Sequence, residues 1–298
     1  MNISKQGKKE NILFIVNPVS GKGKKTYIIK QINEHLNPDK YNVVFEDSKY
    51  KGHAHTIAEQ YKEKGIKKIV AVGGDGTVNE IGSAIINTDI SLGIIPRGSG
   101  NGLARFLSIP MNAKGAIEII NNPSIKDIDA AKVNDKYFFC TCGVGFDAHV
   151  GNIFNKYTKR RSINYFKDTI QEFLKYKPKE YNLKFDSQKK KVKSLLVTIA
   201  NAGQYGNNVY ISPDAKIDDG FLDLCILKPF PISIILPIGL RLIGRTLNKS
   251  KYLEVIKCKN IILKKKKKVK CHYDGETYKA GKSIKVEIIP ASLKVMIP

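Results

Sequence analysis

The stretch IVAVGGDGTVNEI, Ile69 to Ile81, decides how this sequence folds. Four β-branched or small apolar residues run without alternation, which predicts a strand buried on both faces. Three glycines and one aspartate follow, and a helix is expected from Thr77 to Ile86. The same grammar recurs outward from it. NILFIVNP (11–18) reads as a strand leading to a helix over Thr26–Leu36, and YNVVFED (41–47) as a strand before a helix over His53–Lys64. SLGIIPRG (91–98) is a fourth strand, with a helix over Asn101–Leu107. Repeated strand–helix units with continuous apolar strands predict an α/β domain with a parallel sheet over residues 1–125.

After Pro123 the pattern changes. AKVNDKYFFCTCGVGFDA, KEYNLKFDSQ, KVKSLLVTIANAG, GFLDLCILKP, KNIILKKKKKVKCHYDG and SIKVEIIP are strand-like runs separated by Asn, Asp and Gly turns. NDK and DSQ read as hairpin tips. Residues 126–290 are therefore expected to form an antiparallel β domain. Helical insertions are expected near Ile163–Tyr176 and Ile232–Leu247, and the strand 291–298 is free to return to the first domain. A chain of 298 residues suits two domains.

Lysine and arginine number 51 against 27 aspartates and glutamates, a net charge of +24. Such an excess points to a polyanionic partner or to a lysine-rich background. Lysine outweighs arginine, which favours an anionic membrane face over a nucleic acid read through Arg forks. Five cysteines without paired spacing predict reduced thiols in a cytoplasmic setting. Cys258, Cys271 and His272 lack the spacing of a zinc site. ILFIV is too short for the apolar region of a signal peptide. The longest apolar stretch, Phe230 to Gly244, is interrupted by Pro237 and Arg241 and falls short of the ~20 residues that cross a bilayer. With no lipidation motif, the protein is expected to be soluble or peripheral.

In open α/β sheets ligands bind beyond the carboxyl ends of the strands. Three of the four strand ends carry glycine loops: NPVSGKGK, GGDGTVNE and PRGSGNGLAR. Each leads into a helix N-terminus, where N–H groups and the helix dipole favour an anion. None has Walker A spacing, and GSGNG is one residue short of the dinucleotide fingerprint. Asp75 would repel a phosphate unless a cation intervenes, so Mg²⁺ bound through one or two carboxylates, water and phosphate is expected. The alternative is a turn or helix-capping role for Asp75.

The ordered set NPVSGKGK, GGDGTVNE, PRGSGNGLAR, GVGFDA, KIDDGFLDL and YDGE resembles the diacylglycerol kinase catalytic family, which includes bacterial lipid kinases, sphingosine kinases and ceramide kinases. The likeness covers nearly the whole chain. It implies a nucleotide-binding α/β domain followed by a β-sandwich, and transfer of the γ-phosphoryl group of ATP to a lipid hydroxyl with Mg²⁺. Asn17, Ser20, Gly21, Gly23 and Ser48 would contact nucleotide. Gly74, Asp75, Gly76 and Thr77 would hold phosphates, and Ser99 a further phosphate or ribose edge. A metal loop would use the Asp219 carboxylate and the backbone carbonyls of Lys216 and Phe221, and Asp129 would support a metal–water network. Asp274 or Glu276 would accept the hydroxyl proton, with the choice open. Without the resemblance, YDGE is a hairpin tip and KIDDG a turn.

Asn101-Gly102 stands where many bacterial members have Asn-Asp, which shifts more of the metal role to Asp75 and Asp129. Asp147 matches a position that touches the acceptor head group in sphingosine kinases. A diacylglycerol-like acceptor is favoured, with a long-chain base, a soluble acceptor as in NAD kinases, or a non-enzymatic lipid or nucleic-acid binder as alternatives. Cytoplasmic placement at the inner membrane face is expected, through the apolar segment 232–247 and the lysine run Lys264–Lys268. No nucleic-acid partner is expected, and the oligomeric state is left open.

Overall fold

A computed structural model describes residues 9–21, 25–149, 171–265 and 268–298. The chain divides into two compact units, Met1–Ile128 with Ser292–Pro298, and Asp129–Ala291.

In the first unit, β1 (Glu10–Val16), β2 (Tyr41–Asp47), β3 (Lys68–Gly73) and β4 (Ser91–Pro96) pair in the order β2-β1-β3-β4, all parallel. Ile12 to Val16 and Ile69 to Val72 are at most 1% exposed. That burial is why their sequence shows no alternation, and each such side chain contributes about 1.5–3 kcal/mol relative to exposure. β2 is the edge strand, and only Tyr41 in it is buried. The helices are α1 (Lys25–His35), α2 (His53–Glu63), α3 (Asp75–Ala84), α4 (Gly102–Phe106) and α5 (Ala113–Asn121). α3 starts two residues earlier than expected, with Gly74 as its cap and Asp75 as its first residue. α5 was not anticipated. Asn112 caps it by accepting from Gly115 N at 2.8 Å, and Ala116, Ile117 and Ile120 bury its apolar face.

The second unit is built from antiparallel strands. β7 (Thr141–Gly145), β10 (Leu196–Ala200), β11 (Leu222–Leu227), β12 (Leu253–Cys258), β14 (Val269–Tyr273) and β15 (Glu276–Ala280) form one sheet in the order β12-β11-β10-β7-β14-β15. β8 (Lys179–Phe185), β9 (Gln188–Ser194), β13 (Asn260–Lys264) and the first part of β16 (Ser283–Ile297) form the other layer. Residues from both sheets share one core, with Tyr181, Phe185 and Ile261 against Val144, Val197 and Leu224. β5 (Ser124–Val133) and β6 (Lys136–Phe138) turn at Asn134-Asp135, and β8 and β9 at Asp186-Ser187, as the two hairpin tips require. The end of β16 pairs in parallel with β4, Lys294 opposite Ser91 and Val295 opposite Leu92.

Two expectations about this unit change. The lysine run is not one strand: it separates β13 from β14, which belong to different sheets, and Lys266 and Lys267 lie outside the described residues. Of the insertion expected at 163–176, residues 171–175 are helical and 163–170 lie outside the described residues. The insertion at 232–247 contains a 3₁₀ turn, Ile232–Ile234, and α6 (Ile235–Ile243). Pro237 does not break α6, because it occupies the first turn, where its missing N–H has no intrahelical partner to lose.

Candidate active site

The glycine loops after β1, β3 and β4 converge in the first unit. A Cβ on Gly98 would come within 2.6 Å of Gly74 Cα, and one on Gly21 within 2.5 Å of the Arg97 carbonyl oxygen. Any side chain at either position would force the loops apart. Arg97 Nε donates to the Ser20 carbonyl at 3.2 Å, and Asn17 Nδ2 to Thr77 Oγ1 at 3.2 Å. Asn17, Ser20, Gly21, Gly74, Asp75, Gly76 and Thr77 thus fall in one assembly. Ser99 is at the exposed tip of the third loop. Ser48, at the end of β2, donates its N–H to the Val16 carbonyl at 2.9 Å and is 9% exposed. Gly23 lies outside the described residues.

Asp75 joins the second loop to the third. Its Oδ2 accepts from Asn101 N at 2.8 Å, and its Oδ1 from Gly102 N at 2.6 Å. The carboxylate among the glycines is therefore itself the anion for two backbone amides at the start of α4. Asn101, absent from the candidate residues above, fixes the loop further. It has φ 50° and exchanges side-chain hydrogen bonds with Gly98 N (2.9 Å) and Gly98 O (2.8 Å). Glu80, the last residue of GGDGTVNE, accepts from Gly52 N at 2.8 Å and Ala54 N at 3.1 Å, and so holds the N-terminus of α2. A cleft of about 370 Å³, lined by Lys25, Phe45, Asp47, His53 and Ile57 among others, lies at the end of β2, between the first residue of α1 and α2.

In the second unit most of the candidate carboxylates hold the fold. Asp129 is 2% exposed; its Oδ1 accepts from Ala291 N at 2.8 Å and its Oδ2 from Gly220 N at 2.7 Å. It ties the 216–221 loop to β16. Asp274 and Gly275, at φ 42° and 82°, form the turn between β14 and β15, where Tyr273 pairs with Glu276. The Asp274 carboxylate accepts from three amides, Phe139 (2.8 Å), Cys140 (2.8 Å) and Thr141 (3.2 Å). Glu276 opens β15 and is partly exposed. The two carboxylates of this motif therefore differ in kind: Asp274 is an anchor inside the turn, and Glu276 stands on the strand beyond it.

Asp147 is enclosed. Its Oδ2 accepts from Thr198 Oγ1 at 2.6 Å and meets His272 Nε2 at 2.9 Å and Tyr205 OH at 3.5 Å. Its side chain is 7% exposed and that of His272 is 6%. Burial first, then the Asp147 charge, push the Tyr205 hydroxyl well above its ordinary range, so it stays a donor. His272 meets the Asp147 carboxylate through Nε2. All five cysteines are buried and none forms a disulfide. Burial pushes Cys258 and Cys271 up to about 12, so neither carries thiolate character near neutrality.

The 216–221 loop tests the fit of a second metal. Asp219 Oδ1 accepts from Phe221 N at 3.1 Å, and its Oδ2 meets the Lys257 ammonium at 2.6 Å. Asp223 is 3.6 Å from the same ammonium. Burial alone lowers the Lys257 pKa, but hydrogen bonding to Asp219 and the two carboxylate charges outweigh it and leave it raised. A metal ion at Asp219 would take the place of this half-exposed lysine, with the Asp219 carboxylate and the carbonyls of Lys216 and Phe221 as the groups to hold it. Lys257 faces Asp223 directly across β11 and β12, a pairing no motif announces. Among the described residues no three His, Cys, Asp or Glu side chains gather as a metal centre. A Mg²⁺ carried by nucleotide phosphates needs no such cluster.

Comparison with known proteins agrees with this layout. Residues 11–133 match the model of the diacylglycerol kinase catalytic domain, and residues 140–297 that of the YegS C-terminal NAD kinase beta sandwich-like domain. A diacylglycerol kinase of Bacillus subtilis (strain 168) is 27% identical over 272 residues, 88% of each chain. One from Mycobacterium tuberculosis (strain CDC 1551 / Oshkosh) is 31% identical over 173 residues, 55% of this chain and 56% of that one. The chain spans 54% of the length of an uncharacterized protein of Synechocystis sp., 58% of a probable YegS-like lipid kinase of Chromohalobacter salexigens and 56% of the Mycobacterium tuberculosis kinase. The crystal structure of a diacylglycerol kinase from Bacillus anthracis str. Sterne superposes with a TM-score of 0.77 at 23% identity, over 98% of both chains, a likeness of fold. With both units matched, this chain belongs to the diacylglycerol kinase catalytic-domain family.

Proposed function

We propose that the protein is an ATP-dependent lipid kinase that transfers the γ-phosphoryl group to a hydroxyl of a membrane lipid, with a diacylglycerol-type acceptor. The observation that carries this reading is the convergence of the three glycine loops, pinned by Asp75 across Asn101 and Gly102. Phosphoryl transfer asks for positioning and charge neutralisation more than for covalent help. Backbone amides at the start of α3, within Gly74-Asp75-Gly76-Thr77, suit phosphate oxygens. Mg²⁺ arriving with the triphosphate would supply the charge neutralisation that such phosphates need beside Asp75. Glu276 is the group we assign to accept the hydroxyl proton, because Asp274 is committed to three amides. The long-chain-base reading is less favoured: Asp147, its expected contact to an amine, already meets Thr198, His272 and Tyr205.

The test is transfer of labelled γ-phosphate to micelle-presented lipids, with a diacylglycerol and a sphingoid base assayed in parallel. Label on the diacylglycerol supports the reading. Label on the sphingoid base alone replaces the acceptor, and label on neither removes the activity.

A further inference from the structure

α6 is apolar on two sides. One side packs into the unit: Ile238 is buried, and Ile234 and Leu242 rest against a cluster containing Leu195, Ile211, Leu227 and Leu253. The other side is bare. Ile232, Leu236, Leu240 and Ile243 are 61%, 61%, 62% and 63% exposed. Spacings of four and three residues put Leu236, Leu240 and Ile243 on one helical face, with Ile232 one turn ahead. The helix is held firmly. Tyr210 N donates to the Leu242 carbonyl at 2.8 Å, Arg241 Nη1 to Thr246 O at 3.1 Å, and the Arg245 guanidinium lies 4.2 Å from the Tyr210 ring centre.

The segment's own charge has one sign. From Lys228 to Lys251 the sequence contains Lys228, Arg241, Arg245, Lys249 and Lys251 and no acidic residue. Among the described residues, the acidic groups bonded to the segment from neighbouring elements are Asp214, which accepts from Asn248 at 2.6 Å, and Glu254, 3.2 Å from Lys228. Neither contacts α6 itself. An exposed apolar stripe flanked by cations is complementary to an anionic phospholipid surface, where chains lie beneath charged head groups. Nine residues make a helix about 14 Å long, which lies in an interface and cannot span it. Four side chains a little over half exposed fall well short of the ~800 Å² per partner that a stable dimer takes.

We propose that the face formed by Ile232, Leu236, Leu240 and Ile243 docks on an anionic bilayer, with Arg245, Lys249 and Lys251 against the lipid head groups. This rests on the lipid kinase reading and supplies the surface by which such an enzyme meets its acceptor.

The test is co-sedimentation of the full chain, without ATP, with vesicles of phosphatidylcholine alone or mixed with phosphatidylglycerol. The expected result is binding to the mixed vesicles that weakens roughly tenfold or more in the double variant Leu236→Ser/Leu240→Ser. In the triple variant Arg245→Gln/Lys249→Gln/Lys251→Gln it falls toward the level on phosphatidylcholine. Circular dichroism should be unchanged in both, and the melting temperature unchanged in the double variant, whose side chains face solvent; the triple variant gives up the Arg245–Tyr210 contact and should melt slightly lower. No binding by the wild type, or equal binding by both variants, overturns the proposal. So does light scattering that finds a wild-type dimer and a monomeric Leu236→Ser/Leu240→Ser variant, which makes a second copy the occupant. Phosphorylation of a short-chain, water-dispersed diacylglycerol separates the two readings. Activity retained with vesicle binding lost spares the kinase, whereas vesicle binding without any turnover spares the docking face.

Discussion

The glycine loops of the first unit and the acidic turns of the second both place carboxylates on backbone amides, yet to different ends. Asp75 bridges two loops whose other atoms approach so closely that only glycine fits, and so joins the start of α3 to the start of α4. Asp129 and Asp274 also bind amides, but they fasten a loop to β16 and a turn to the segment before β7. One arrangement clamps glycine loops together at two helix starts; the other fastens the turns and loops of a β-sandwich. A D-G-E motif is therefore not a pair of equivalent catalytic acids. Its first residue fixes the turn that carries the third.

The largest effect expected from breaking this contrast is at Asp75. Asp75→Ala should lower label transfer about 10²–10⁴-fold while the far-ultraviolet circular dichroism persists, because one loop clamp is lost and the sheet is not. Splitting the D-G-E pair comes next. Glu276→Gln should cost on the order of 10²-fold in kcat with an unchanged melting temperature. Asp274→Ala should instead destabilise by about 2–4 kcal/mol in urea denaturation, since three amides lose their acceptor. The reverse pattern would exchange their roles.

Asp129→Ala should behave like Asp274→Ala, costing about 2–4 kcal/mol, because two amides lose a buried charged acceptor. A smaller effect is expected at Lys257, whose side chain is 48% exposed. Lys257→Met should cost about 1 kcal/mol or less after solvent screening. The ammonium titrates above its ordinary value of 10.5 in the folded chain. Its contribution is therefore complete below that pH and is lost only as pH rises through the higher folded value. Melting curves from pH 7 into the alkaline range, wild type against variant, measure it, and a gap that widens on alkalinisation would contradict the assignment. Smallest of all, the native thiols should resist iodoacetamide near neutrality and react on unfolding, since burial holds Cys258 and Cys271 near 12.

Much of this was legible in the sequence where physics is local. Continuous apolar runs gave β1, β3 and β4, and Asn-Asp, Asp-Ser and Asp-Gly marked three hairpins. The glycine loops showed themselves by spacing and position. α5 was legible too, through Asn112 as its cap and Ala116, Ile117 and Ile120 as its face, although the strand–helix reading of residues 1–125 assigned no helix after Leu107. The rest depended on distant pairing. The donors to Asp274 are more than 130 residues away in sequence, and Asp147 meets residues of β10 and β14. Lys257 reaches Asp219 only because β12 pairs with β11 in one register. No composition or period encodes such contacts. Pro237 and Arg241 interrupted the apolar stretch on paper, yet one sits in the first helical turn and the other binds a carbonyl, so α6 forms.

The most direct measurement is transfer of γ-phosphate label from ATP to diacylglycerol in mixed micelles by the wild type and Glu276→Gln side by side. The account predicts labelled lipid from the wild type and a loss of roughly a hundredfold in a variant that melts at the same temperature. Unlabelled lipid from the wild type, or equal labelling by both proteins, would contradict it.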